Sequence, residues 1–283
     1  MSVRDYIALM RPANSLMVGF AVIVGALVSS GNPALLAQNI RELVLGYLTG
    51  ALLAASAMVL NDVIDREIDA YNEPRRPIPS GRVSVRGALA WFAVLSVLGL
   101  SASLAISLEA FLIALAAYVV AVVYNAWGKK TGLPGNLMVS YTVMTPIVFG
   151  SVVVGDFSPK AVIFSAIIFL ANTGREITKG IVDVYGDSIK GVRTVAVTRG
   201  RRAAAYMAVA FYLSAVVLSL VPYVTRMAGY LYLILVLLVD AGFLYYSWKL
   251  LRNPDRDVSL VVKRRVLALM FLGLVAFGVS GLW

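Results

Sequence analysis

The sequence predicts an all-α, polytopic membrane protein of nine transmembrane helices around a central cavity. Three observations predict it. Hydrophobic residues make up 60% of the 283 residues and charged residues only 14%, with a mean hydropathy of +0.85. A soluble domain carries roughly 45–50% apolar and about 25% charged residues, so this chain has too few charges to cover a globule in water. Second, apolar stretches recur nine times, each close to the roughly 20 residues a helix needs to cross the hydrocarbon core. They do not alternate as barrel strands would. Third, basic residues are distributed with one sign of topology, as counted below.

The stretches fall near 13–30, 41–60, 87–106, 109–126, 136–154, 159–177, 203–222, 228–247 and 265–282. The first is expected to be a span rather than a cleaved signal peptide. Ser2-Val3-Arg4-Asp5 and Arg11 precede it, and no convincing cleavage site follows. With the N-terminus cytoplasmic, the inside segments hold 22 basic residues and the outside loops hold Arg41, Lys160 and Arg226. That asymmetry predicts nine spans, an inside N-terminus and an outside C-terminus. The whole chain, 1–283, reads as one transmembrane domain with long polar segments at about 62–86 and 178–202. Long ordered loops tend to be functional.

Composition narrows the chemistry. There is no cysteine and no histidine. Disulfides, zinc thiolate sites, iron–sulfur clusters, Ser-His-Asp triads and haem ligation are therefore excluded. Any metal must be held by oxygen, which favours a hard ion such as Mg²⁺. The net charge of +10 is read as membrane topology and attraction to anionic headgroups rather than as nucleic-acid binding.

The acidic residues of the two long segments carry the site prediction. In Asn61-Asp62-Val63-Ile64-Asp65-Arg66-Glu67-Ile68-Asp69, residues Asn61, Asp65 and Asp69 stand at i, i+4 and i+8. On a helix they stack on one face, with Asp62 and Glu67 pointing elsewhere. Like charges at that spacing repel, and carboxylates near hydrocarbon cost several kcal/mol in order of magnitude. A divalent cation would offset both. Asp183 and Asp187 repeat the i, i+4 spacing after the sixth stretch, with Lys179 before them and Lys190, Arg193 and Thr194 after. Mg²⁺ uses one or two carboxylates plus substrate phosphates, so two facing acidic helix ends point to a diphosphate ligand.

Cationic donors for such a ligand lie close by. Arg75, Arg76 and Arg82 sit in a turn shaped by Pro74, Pro77, Pro79 and Gly81. Lys129 and Lys130 follow Tyr124, and Arg11 precedes Pro12 and Asn14. One Asp pair among arginines is ordinarily a solvated, salt-bridged surface. Two such pairs, each at an inner helix end and each joined to a basic turn, are not. Lys129-Lys130 alone also suits a positive-inside anchor. Asp240, deep in the eighth stretch without a Lys or Arg partner, reads first as a polar helix contact or a protonated carboxyl. Tyr118, Tyr124, Tyr141, Phe149, Phe169, Tyr206, Phe211 and Tyr212 read first as core, though some could face a developing cation.

Asn61-x-x-x-Asp65-x-x-x-Asp69 with Asp183-x-x-x-Asp187 on nine predicted spans resembles the UbiA superfamily of intramembrane prenyltransferases. Its members carry two Asp-rich motifs on the second and sixth helices and transfer a prenyl group from a Mg²⁺-bound prenyl diphosphate to a lipophilic acceptor. Arg11-Pro12-x-Asn14, Arg76-Pro77-Ile78-Pro79-Ser80-Gly81, Lys129-Lys130-Thr131-Gly132-Leu133-Pro134-Gly135-Asn136 and Arg175-Glu176-Ile177-x-Lys179 look most like the ether-lipid branch. That branch joins geranylgeranyl diphosphate to geranylgeranylglyceryl phosphate. The family's Tyr-x-x-x-Lys element is displaced here, since Tyr124 is followed by Gly128 and then by two lysines.

The resemblance and the residues together assign Asn61, Asp65, Asp69, Asp183 and Asp187 to Mg²⁺. Asp65, Asp69, Asp187 and Lys130 are expected to be catalytic. Arg11, Asn14, Arg75, Arg76, Arg82, Tyr124, Lys129 and Lys179 are expected to bind substrate. Arg76, a lysine of the 129–130 pair and Lys179 would hold the diphosphate, while Arg11, Arg75 or Arg82 would hold an acceptor phosphate. The acceptor proton would pass to Asp65, Asp69, a substrate phosphate oxygen or the diphosphate. Expected partners are the two substrates and membrane lipids, with no nucleic acid and no obligate protein partner. The alternatives are an aromatic acceptor of the 4-hydroxybenzoate type and, more remotely, a transporter. Most acids lie at one face rather than near the midplane where transporter sites usually sit. The Asp-x-x-Asp-Gly-x-x-Ala-Arg pattern of alcohol phosphotransferases is missing.

Overall fold

The structure is a computed structural model and describes residues 2–31, 33–189 and 191–280; Lys190 and the end of the ninth expected span lie outside the described residues. Among the described residues there is no strand. A short helix α1 (Val3–Leu9) leads into α2 (Pro12–Ser30), α3 (Pro33–Gln38) and α4 (Ile40–Ile64). Then come α5 (Arg66–Asn72), α6 (Val85–Leu104) and α7 (Leu108–Ala126). After a 3₁₀ turn (Gly128–Lys130) follow α8 (Leu133–Val153), α9 (Pro159–Val182) and α10 (Val184–Ile189). The chain closes with α11 (Val195–Ser219), α12 (Val221–Val224), α13 (Tyr230–Arg252) and α14 (Arg256–Ser280).

Local sequence sets where these helices begin. The hydroxyls of Ser84 and Ser107 accept from the backbone N–H three residues on, at 3.1 Å each, and fix the starts of α6 and α7. Ser158 caps α9 with Pro159 in the first helical position, and Thr194 caps α11. These are the residue types that satisfy the orphan N–H groups of a first turn.

Eight helical segments among the described residues are long and apolar enough to cross a membrane. They match the first eight expected stretches, with ends shifted by up to several residues. The ninth stretch falls on α14, whose first half carries Arg256, Lys263, Arg264 and Arg265 and whose described apolar run starts only at Val266. Nine spans is thus a count of helices by sequence, and eight is the count that length and hydropathy support here. The polar segments expected as loops are largely helical: α4 and α9 run past the expected span ends, and α5 and α10 continue them.

Helix packing relies on small residues, as it must where lipid is as apolar as a side chain. A Cβ on Gly25 would lie 2.4 Å from the Ile147 carbonyl oxygen, and one on Gly150 would lie 2.1 Å from that of Val22. Helices α2 and α8 therefore meet backbone to backbone. Gly150→Ala is expected to destabilise the fold by about 1–3 kcal/mol, because backbone rather than a flexible side chain must yield. Thermal unfolding in detergent reads this out, and an unchanged Tm would show that the helices separate freely. Polar links add to the packing: the Asn172 amide donates to Ser140 Oγ at 3.1 Å, and Asn125 donates to the Ala57 carbonyl at 3.3 Å.

The helices enclose a cavity of about 670 Å³. Its walls come from α2, α4, α7, α8, α9, α11, α13 and α14, while α6 packs outside against α4. Most of the wall is apolar. Pro146 interrupts the α8 ladder where that helix faces the cavity.

Candidate active site

The first acidic motif spans the junction of α4 and α5. Asp65 sits between them with φ −87° and ψ 4°, yet the backbone ladder is unbroken. Its N–H donates to the Asn61 carbonyl at 2.9 Å, and the Asp69 N–H donates to the Asp65 carbonyl at 2.8 Å. Asn61, Asp65 and Asp69 therefore keep the expected column along the backbone. Their side chains do not stay together. Lys129 Nζ donates to Asp65 Oδ1. Asp69 instead accepts from Arg76 at 2.6 Å, and the same guanidinium reaches Asp62 at 3.4 Å.

Asp62, expected to point away from the face of Asn61, Asp65 and Asp69, shares Arg76 with Asp69. It is buried and also accepts from Arg11 at 2.5 Å. Residues 62 and 69 are seven apart, two helical turns, so they share a face as readily as 65 and 69 do. Arg76 selects that pairing. The position of Arg11 is set by its backbone, which is left-handed (φ 47°) immediately before the Pro12 that opens α2. Few non-glycine residues adopt this conformation.

Arg76 belongs to the turn over 73–84, which is non-helical as its prolines require. Arg82 ties the turn down, donating to Asp5 of α1 at 2.9 Å and to the Arg75 carbonyl at 2.5 Å. Arg75 itself is exposed. Of the three arginines expected at an acceptor phosphate, Arg11 and Arg82 are held by carboxylates.

The second motif lies at the junction of α9 and α10. The Asp183 N–H donates to the Lys179 carbonyl at 3.0 Å, and that of Asp187 to the Asp183 carbonyl at 2.9 Å. Asp183 is exposed and Asp187 half-buried. Two turns before Asp183, Glu176 is buried and accepts from Arg175 at 2.8 Å and from Lys179 at 3.3 Å. The sequence reading did not single out Glu176. Its signal was present: Glu176 and Lys179 are i, i+3 on a helix that must face the cavity to deliver Asp183.

Tyr124 lies on the cavity wall between the two motifs. It lies within electrostatic reach of Lys179, Glu176, Asp65 and Asp187. Arg11, Asn14, Asn61, Tyr124, Glu176 and Lys179 all line the polar end of the cavity. The structure also separates the two neighbouring lysines. The 3₁₀ turn sends Lys129 to Asp65, whereas Lys130 is exposed and makes no ion pair among the described residues. Lys129 and Lys130, both expected near the substrate, thus have different surroundings, an ion pair for the first and solvent for the second. The Lys130 carbonyl accepts from Arg193 N–H at 3.2 Å, which docks this turn on the segment before α11.

Among the described residues no three carboxylates converge to form a metal cage. The donors are all oxygen, they come in pairs, and basic side chains are interleaved with them. Such an arrangement can bind an anion and a hard cation together, over an apolar cavity.

The chain matches the UbiA prenyltransferase family over residues 17–280 and belongs to it. It is an integral membrane prenyltransferase. A curated relative from Korarchaeum cryptofilum, digeranylgeranylglyceryl phosphate synthase, is 35% identical over 275 residues, covering 95% of this chain and 94% of the relative. A solved structure described as giving insight into digeranylgeranylglyceryl phosphate synthase in membranes superposes with a TM-score of 0.87 at 31% identity, covering 99% of this chain and 98% of that one. A UbiA homolog from Archaeoglobus fulgidus bound to GPP and Mg²⁺ shares the fold, with a TM-score of 0.72, 20% identity, and 96% and 99% coverage.

Proposed function

We propose that this prenyltransferase is Mg²⁺-dependent and moves a geranylgeranyl group from its diphosphate to the glycerol hydroxyl of geranylgeranylglyceryl phosphate. The product is digeranylgeranylglyceryl phosphate, a precursor of ether lipids. The observation that carries the reading is that Asp65, Asp187 and Lys179 all lie within electrostatic range of Tyr124 at the polar end of an apolar cavity, with Lys129 on Asp65. The full-length likeness to relatives named for this activity supports the choice of acceptor. We place the acidic end at the cytoplasmic face, because 22 of the 25 basic residues flank that side of the predicted topology.

The donor set fits Mg²⁺. That ion usually keeps waters and takes one or two carboxylates plus substrate phosphates, rather than a full protein cage. Asn61 and Asp65 on one side, and Asp183 and Asp187 on the other, would hold it, with Asp69 supporting from its pair with Arg76. When bound, the metal neutralises charge on the departing diphosphate. Lys129 and Lys179 bind diphosphate oxygens once those oxygens displace their present carboxylate partners. Arg76 and Arg11 fix the acidic helix end from behind. The apolar wall excludes water from the allylic cation, and Tyr124 presents an electron-rich ring at the mouth.

The test uses purified protein in detergent with labelled geranylgeranyl diphosphate and Mg²⁺, offered geranylgeranylglyceryl phosphate or 4-hydroxybenzoate, each with EDTA controls. An EDTA-sensitive product with the glyceryl phosphate alone is expected. A product with the aromatic acid alone would overturn the acceptor and move the enzyme to the aromatic branch.

A further inference from the structure

Among the described residues, the cavity wall holds one carboxylate that the diphosphate site does not use. Asp240, in the middle of α13, is 6% exposed and lines the cavity wall. Ser219, at the end of α11, donates its hydroxyl to Asp240 Oδ2 at 2.7 Å and lines the same wall. The Ser219 carbonyl is in turn held by the Tyr232 hydroxyl at 2.6 Å. Asp240 makes no ion pair and no other hydrogen bond among the described residues. A hydroxyl donor on one oxygen suits the carboxylate form and leaves the other oxygen free to accept. The contact joins α11 to α13, as the sequence leads one to expect of Asp240, and it does so on the cavity wall.

The depth of Asp240 follows from helix register. Helices α9 and α11 run antiparallel and are tied where the Thr178 and Tyr212 hydroxyls meet at 2.9 Å. Ser219 lies seven residues beyond Tyr212, which sets it level with Ala171 of α9, another cavity residue. Glu176 and Lys179 are five and eight residues from Ala171, or about 7.5 and 12 Å along the axis at about 1.5 Å per residue. Side chains on α9 lean toward its N-terminus, so Glu176 and Lys179 reach toward the level of Asp240. The gap between them is about the length of a diphosphate end, its C1 carbon and an attacking hydroxyl.

We propose that Asp240 is the base that receives the proton of the acceptor hydroxyl, with Ser219 as its positioning residue. The inference rests on the hydroxyl-acceptor reading above. As the acceptor oxygen forms its bond to C1, the bond from C1 to the diphosphate oxygen breaks and its electron pair leaves with diphosphate. The hydroxyl proton passes to Asp240 and later to water or the released diphosphate. Asp65 and Asp69 are worse placed for this, since each is bound to a basic side chain. Asp240 is bound only to a hydroxyl.

Asp240→Asn keeps the shape and the contact to Ser219 but removes the base. Transfer to geranylgeranylglyceryl phosphate is expected to fall in kcat by about 10²–10⁴-fold. Donor KM and the slow, acceptor-free release of diphosphate should stay as in the unmodified enzyme, and Asp240→Glu should recover part of the transfer rate. Transfer by Asp240→Asn within threefold of the unmodified enzyme would overturn the assignment. So would an equal loss of acceptor-free release, which marks a structural role. If Asp240→Asn fails to fold, Asp240→Ser and Ser219→Ala decide: unchanged kcat in both overturns it. Failure of the unmodified enzyme to use this acceptor would instead sink the functional reading and the assignment together.

Discussion

Asp65→Asn is expected to lower kcat for prenyl transfer by about 10³-fold or more. Asp65 stands at the junction of α4 and α5, on the Lys129 ammonium and within reach of Tyr124. On the proposed reading it exchanges that lysine for the metal when the diphosphate binds. Loss of a metal's charge stabilisation is worth several kcal/mol, and about 1.4 kcal/mol is a factor of ten in rate. The amide cannot supply the charge. The measurement is kcat across a Mg²⁺ titration. Normal Mg²⁺-dependent turnover in the variant would remove Asp65 from the metal set. Glu67→Gln is the matched control, since that side chain is 83% exposed and, among the described residues, pairs only with the adjacent Arg66. Its activity should stay within about twofold of the parent, as surface changes of this kind are worth roughly 0.5 kcal/mol or less.

Arg76→Met is expected to lower stability by about 3 kcal/mol, whatever it does to activity. It removes the cation from Asp69, whose side chain is nearly buried, and takes one of two partners from Asp62. Removing one member of a buried pair leaves an uncompensated charge, and that costs about 3–5 kcal/mol. The lower figure applies because Arg76 is itself partly open to solvent. Adding Asp69→Asn should restore much of the loss, since the stranded charge is then gone. Thermal unfolding of the two variants in detergent distinguishes this from simple loss of packing. A single variant as stable as the parent would show that the 73–84 turn is held by other contacts.

The membrane class and the helices were legible because hydrocarbon imposes length and composition directly. The motif columns were legible because helical periodicity places residues four apart on one face. What periodicity could not decide was which carboxylate each arginine takes. Asp62 and Asp69 share a face, as do Asp65 and Asp69, and the choice is made by Arg76 from a proline-rich turn whose path depends on α1 and Arg82. Lys129 and Lys130 are neighbours, so only the 3₁₀ geometry after α7 separates them. The Ser219–Asp240 contact joins residues 21 apart across a helical hairpin, and no spacing rule reports it. α14 reads as a span from its apolar second half, while Lys263, Arg264 and Arg265 confine its described apolar run to 266–280.

The interleaved ion pairs at the mouth have a consequence for how a ligand is chosen. Arg11, Arg76, Lys129, Arg175 and Lys179 face Asp62, Asp65, Asp69 and Glu176, with Asp183 and Asp187 beside them, so five positive charges stand against six negative ones. A phosphate pocket built of free lysines projects a field that gathers any polyanion from a distance. This mouth projects almost none, although the chain as a whole carries +10. A bare anion gains one set of partners only by stranding the other. A ligand that brings both signs, an anion with its cation already attached, satisfies both at once. On the proposed reading, discrimination at this mouth is exercised at contact range, against free phosphate and anionic lipid alike.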